Sequence, residues 1–245
     1  MRKTITTLTA ALMVSATAVS AEMTDVERQA FRDEVRAYLL ENPEVLIEAM
    51  DVLQSRQETA SAQKDLDTLR TNADFIYRDP NSWVGGNPEG DITVVEFIDY
   101  RCGYCRKAHD EVAELVKSDG NIRFVVKEFP ILGEQSILSS QFAIAVRQLY
   151  GDEAYKTAHD ALITLRGEAN SETLARLASD LGHDPDAIAA KMTTPEVLSV
   201  IEQNHAIAAK LDISGTPTFV VDETMVRGYV PLDGMRQIVA GERQG

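Results

Sequence analysis

The sequence predicts an α/β domain interrupted by a long helical block and preceded by a helical arm. Three observations carry this. Strand-like apolar runs at 92–98 and 122–129 flank a helical stretch. From 131 to 212 only helical signals occur, and strand character returns at 218–221 before a final helix. Residues 22–76 show helical periodicity and no strand signal.

The first residues read as a secretory signal peptide over 1–21. Arg2 and Lys3 precede a small, mostly apolar stretch at 8–19, and Val19-Ser20-Ala21 fits a cleavage site. The apolar run is too short and too rich in threonine for a membrane span, and no other segment approaches that length, so no membrane insertion is expected. The formal charge is −15 over 245 residues, and the leader would take two further positive charges with it. Such an acidic chain repels nucleic acid and anionic lipid, which are excluded as partners.

The arm at 22–76 opens on a capping-box pattern, Thr24-Asp25-Val26-Glu27. Phe31, Val35, Tyr38 and Leu39 recur at helical spacing, and Asn42-Pro43 reads as an N-cap with proline in the first turn. Val45, Leu46, Ala49, Met50 and Leu53 form a second stripe, followed by a polar run in which Leu66 and Leu69 are the main apolar marks. About fifty such residues bury too little surface to fold alone. They must fold back on their own chain or pair with other copies, and the oligomerisation arm is the preferred reading.

The stretch 79–90 is dense in turn residues and marks the start of the main domain, taken as 77–245. A strand at 92–98 and a helix from Cys105, stopped by Asp119-Gly120, precede the strand at 122–129, which Pro130 halts. The helical block contains a run at 137–150, Ser171 as a cap before Leu174, and Thr194-Pro195 before 197–211. The strand at 218–221 can pair with 225–228, and Pro231 starts the last helix.

Both cysteines of the chain lie in one tetrapeptide, Cys102-Gly103-Tyr104-Cys105. An exported chain with an even cysteine count suggests a structural disulfide. Closing so short a loop removes little entropy from the unfolded state, so a redox role fits better. At a helix N-terminus the free N–H groups and the dipole favour an anionic sulfur, which makes Cys102 the expected nucleophile. Cys105, one turn inside, is then the resolving thiol. Arg101 and Arg106 either add positive field or face solvent.

Glu96 stands in an apolar strand run, where a carboxylate is costly without a task. It reads as a proton shuttle for Cys105, with Asp99 as its competitor and a solvent-facing edge strand as the bland alternative. In Gly215-Thr216-Pro217-Thr218, proline at a strand start marks a special turn. A cis bond there would turn Thr216 backbone toward the sulfurs. His109 reads as a surface helix residue, since two cysteines and one histidine are too few for structural zinc. His159, His183 and His205 show no ligand spacing, and no cofactor is expected.

Three segments resemble the DsbA-like branch of the thioredoxin superfamily, in order between about 88 and 241. They are Val95-Glu96-Phe97-Ile98-Asp99-Tyr100-Arg101-Cys102-Gly103-Tyr104-Cys105, Phe129-Pro130-Ile131-Leu132-Gly133 and Gly215-Thr216-Pro217-Thr218-Phe219-Val220. The resemblance implies a thioredoxin fold with an inserted helical subdomain. It also implies Cys102 as reactive cysteine, Cys105 as resolving cysteine, Glu96 as buried acid and Thr216-Pro217 as a cis-proline loop, with Gly103, Tyr104 and Gly215 beside the substrate. Tyr38-Leu39-Leu40-Glu41-Asn42-Pro43-Glu44-Val45-Leu46 resembles the N-terminal region of ScsC-type proteins (suppressor of copper sensitivity), which implies a homo-oligomer, with a trimer favoured.

DsbA oxidases carry Pro-His between the cysteines and valine before the cis-proline. Gly103-Tyr104 and Thr216 are instead similar to periplasmic isomerases of the DsbC kind. The implied function is a periplasmic disulfide isomerase or reductase acting on exported proteins with wrong disulfides, recharged by a membrane reductase of the DsbD or ScsB type. The alternatives are a dithiol oxidase and a copper-tolerance protein holding Cu(I) on Cys102 and Cys105.

Overall fold

The structure, a computed structural model, describes residues 23–244; the leader read over 1–21 lies outside them. The chain divides between Glu58 and Thr59 into two compact units. In the first, α1 (Asp25–Glu41) starts at the capping box: the Thr24 side chain accepts from the Glu27 N–H, and the Glu27 carboxylate accepts from the Thr24 N–H at 2.8 Å. Asn42 closes α1, and its carbonyl accepts from the Val45 N–H at 3.3 Å at the start of the next helix. Its backbone N–H and its side-chain amide both donate to the Tyr38 carbonyl. After Pro43, α2 (Glu44–Thr71) begins, and the division of the chain falls within it. α1 buries no residue, and Val26, Phe31, Leu40, Ile47 and Met50 are exposed.

The second unit takes in residues 59–76, which the sequence assigned to the arm. Leu69 and Ile76 are fully buried, and Asp65 and Arg70 pair with Arg227 and Glu223. After α3 (Ala73–Tyr77) the strands are β1 (Trp83–Gly86), β2 (Ile92–Ile98) and, beyond α4 (Gly103–Asp119), β3 (Ile122–Glu128). Five helices follow: α5 (Glu134–Tyr150), α6 (Asp152–Thr164), α7 (Ser171–Asp180), α8 (Pro185–Met192) and α9 (Pro195–Lys210). Asn170, not Ser171, caps α7, accepting from the Thr173 N–H. The hairpin β4 (Thr218–Val221) and β5 (Thr224–Arg227) leads to α10 (Leu232–Glu242).

The five strands form one sheet in the order β1-β3-β2-β4-β5, with β2 parallel to β3 and the other neighbours antiparallel. β1 falls inside the stretch the sequence marked only as turns. The Trp83 ring folds so closely over Gly85 that a Cβ there would lie 2.1 Å from it. The strand therefore needs the glycine that disguises it.

β2 sits at the centre of the sheet, and its side chains alternate between two layers. Val95 and Phe97 pack with Leu69, Ile76, Ile207 and Leu211 on one face. Ile92 and Val94 pack with Val112 and Leu115 of α4 and with Val239 of α10 on the other. Period-two alternation puts Glu96 on this second face, among helices, so the edge-strand alternative does not hold.

Candidate active site

The tetrapeptide Cys102-Gly103-Tyr104-Cys105 is placed by a turn that Asp99 organises. Its carboxylate accepts from the N–H groups of Arg101 (2.8 Å), Ile131 (2.8 Å) and Leu132 (3.0 Å), tying the end of β2 to the loop after β3. Asp99 is thus spent on backbone, which leaves Glu96 as the carboxyl free for chemistry. Arg106 is held as well, donating from Nε to the Tyr100 carbonyl at 2.9 Å.

Cys102 is the N-cap of α4 in extended conformation, and helical geometry begins at Gly103. The unpaired N–H groups of the first turn face the cap position. Cys102 is 8% exposed and donates from Sγ to the Thr216 carbonyl at 3.1 Å. The Thr216-Pro217 bond is cis, and Thr218 Oγ1 closes the turn on the Gly215 carbonyl at 2.8 Å. The structure therefore brings Cys102, Thr216 and Pro217 together, although 114 positions separate the two hydrogen-bonded residues. Cys105 is fully buried one turn inside, and both cysteines are free thiols. Burial, and then the neighbouring Glu96 charge, push the Cys105 thiol well up.

Glu96 is 3% exposed, and its Oε1 has no hydrogen-bond partner among the described residues. Burial, and then the charge of Glu128, raise it to about 8. Among the described residues no cation is paired with it: Val126 stands opposite it on β3, while Lys127 turns to the other face and pairs with Asp79 at 2.6 Å. Gly103 has open space around it, and Tyr104 is 62% exposed beside Cys102, stacked on Tyr229. These residues present the outer surface of the site.

Sequence reasoning missed a buried network behind the site. Glu128 accepts hydroxyl hydrogen bonds from Tyr100 (2.7 Å), Tyr155 (2.6 Å) and Ser140 (2.7 Å), and burial still raises it to about 7. His159 joins it through Nδ1, 3.0 Å from the Tyr100 oxygen. The signal available was a charged pair, Lys127-Glu128, closing an apolar strand. His109, read as a surface residue, is half-buried and faces His159, with ring centroids 5.4 Å apart.

Residues 78–240 match the thioredoxin family model. The chain belongs to the thioredoxin family. Within it, residues 27–60 match the copper resistance protein ScsC N-terminal domain, which places this member with the ScsC and DsbA-like proteins. A thioredoxin-like oxidoreductase from Silicibacter pomeroyi DSS-3 is 43% identical, covers 70% of this chain and 98% of its own, and superposes with a TM-score of 0.66. BcfH of Salmonella enterica Typhimurium is 27% identical, covers 88% and 95%, and gives 0.74. A linker-deletion variant of Proteus mirabilis ScsC, 23% identical over 92% and 99%, shares the fold at 0.70. The chain also matches curated Na(+)/H(+) antiporters, at 29% identity over 163 residues for one from Salinispora arenicola, but spans only 25% of that protein's length.

Proposed function

We propose that this thioredoxin-family chain is a periplasmic thiol–disulfide oxidoreductase that works as a disulfide isomerase or reductase on exported proteins. The observation that carries the proposal is Cys102 at a helix N-terminus, held by the Thr216 carbonyl, with a buried and unpaired Glu96 behind Cys105.

In the first step the Cys102 thiolate attacks one sulfur of a substrate disulfide. A mixed disulfide forms, and the other substrate sulfur leaves as a thiolate that takes up a proton. Two resolutions follow. In isomerisation a second substrate thiolate attacks its own sulfur in the mixed disulfide and expels Cys102, with no net electron transfer. In reduction Cys105 gives its proton to the Glu96 carboxylate and attacks Cys102 Sγ. The substrate leaves as a dithiol, and the Cys102–Cys105 disulfide holds the two-electron oxidation. A membrane reductase of the DsbD or ScsB type then restores the dithiol. An acid titrating at about 8 is matched to moving this proton near neutral pH.

Gly103-Tyr104 between the sulfurs and Thr216 before the cis proline support the isomerase direction. The exposed apolar side chains of α1 and of α2 up to Glu58 support self-association, which would set several active sites around one client. Among the described residues no helix is long and apolar enough to cross a membrane. Insulin reduction, refolding of scrambled ribonuclease and oxidation of reduced ribonuclease test the direction. The first two should be fast; speed in the last alone would make the chain an oxidase.

A further inference from the structure

We propose that His109, His159 and Asp160 form a binding site for a divalent transition-metal ion, Cu(II) or Zn(II), beside a cavity that the two histidines line and neither cysteine does. α4 supplies His109, and α6 supplies the other two from successive positions. One ligand atom from each of the three lies within 4.8 Å of the others. Tetrahedral zinc, with bonds of about 2.0–2.1 Å, holds its ligands roughly 3.3 Å apart. His109 Nε2 and Asp160 Oδ1 already lie 3.3 Å apart.

The hydrogen bonds behind the cluster select the ligating form of His159. Tyr100 donates its hydroxyl proton to Glu128, so the Tyr100 oxygen must accept from His159 Nδ1–H. That leaves Nε2 with its lone pair free. A carboxylate–tyrosine–histidine relay of this kind orients an imidazole as the outer shell of a metal site does.

Two buried oxygens that accept no hydrogen bond point the same way. Asp160 Oδ1 is shut from solvent and accepts no hydrogen bond. Glu96 is more than nine-tenths buried, lines the same cavity, and has Oε1 without a partner. Lys156 also lines the cavity and pairs with the second oxygen of Asp160, leaving Oδ1 for the metal. The cavity, about 430 Å³, gives room for water or an exogenous ligand in an open coordination position. Two imidazoles and one carboxylate favour copper or zinc over magnesium or calcium, which prefer all-oxygen sites.

The test uses the untagged full chain carrying Cys102→Ser and Cys105→Ser, so that thiolates take no part. Titration calorimetry with Cu(II) and Zn(II) should show one saturable equivalent. The Cu(II) complex should show electron-spin resonance coupling to two nitrogens. His109→Ala should weaken binding by at least about 100-fold, because even changes outside the ligand shell cost 10–100-fold. Tyr100→Phe, which removes the relay but no ligand, should fall in that 10–100-fold range. No saturable binding, or binding that His109→Ala leaves unchanged, would overturn the proposal.

Discussion

Replacing Glu96 by glutamine isolates what one unpaired buried carboxyl does to this protein. In the unfolded chain the group titrates near 4.5; in the folded chain it titrates at about 8. Below pH 4.5 it is neutral in both states and exerts no pull on the equilibrium. As pH rises the unfolded chain ionises first, while the folded chain keeps its proton until about 8. Stability contributed by the protonated acid is therefore full below 4.5 and is lost between 4.5 and 8. At about 1.4 kcal/mol per pH unit the ceiling on that loss is about 5 kcal/mol. Glutamine keeps the shape and cannot ionise. Urea unfolding at intervals from pH 4.5 to 9 should show Glu96→Gln gaining on the wild type by several kcal/mol, up to that ceiling, then running parallel above about 8. Glu128 titrates in both proteins and largely cancels from the difference. In the same variant, insulin reduction should slow by about 100-fold, the scale of a lost general base, while alkylation of Cys102 proceeds unchanged. Parallel stability curves across the whole range would refute the reasoning, since they would mean that Glu96 meets solvent or a counter-charge in the folded chain.

Two further outcomes are expected. Asp79→Asn leaves the Lys127 ammonium buried without its partner and should cost about 3–5 kcal/mol in urea unfolding; a loss below about 1 kcal/mol would show that the pair is dispensable. A chain starting at Thr59 should remain folded, fall to monomer mass by light scattering, keep insulin reduction and lose refolding of scrambled ribonuclease. An unchanged number of chains per particle would remove the arm from the account. Starting instead at residue 77 would strip Leu69 and Ile76 from the core and test folding, not assembly.

The parts of the fold that were legible in the sequence are those written in local pattern. β2 and β3 are short runs rich in β-branched and aromatic residues, and α4 has an apolar stripe with a left-handed glycine, Gly120, at its end. The alternation of β2 put Glu96 among apolar neighbours, but only the register and the order of strands show that β2 is central and that the carboxyl lies under helices. Asp99 and Glu96 competed on sequence because the distinction lies in the loop after β3, whose N–H groups consume Asp99. β1 stayed hidden because Gly85 makes way for the Trp83 ring and reads as a turn. The network of Tyr100, Glu128, Tyr155 and His159 depends on how α6 packs against the end of β3. It joins residues up to 59 positions apart, and no local periodicity encodes that. The boundary of the arm was unreadable for a similar reason: α2 continues as one helix through the point where the chain divides.

The most direct test of the central claim is a trapping experiment. Cys105→Ala removes the resolving thiol, so the mixed disulfide with scrambled ribonuclease should accumulate. Peptide mapping under non-reducing conditions should find Cys102 joined to a ribonuclease cysteine, and Cys102→Ala should form no such complex. Failure to trap any complex, or a complex formed through Cys105 when Cys102 is absent, would contradict the account.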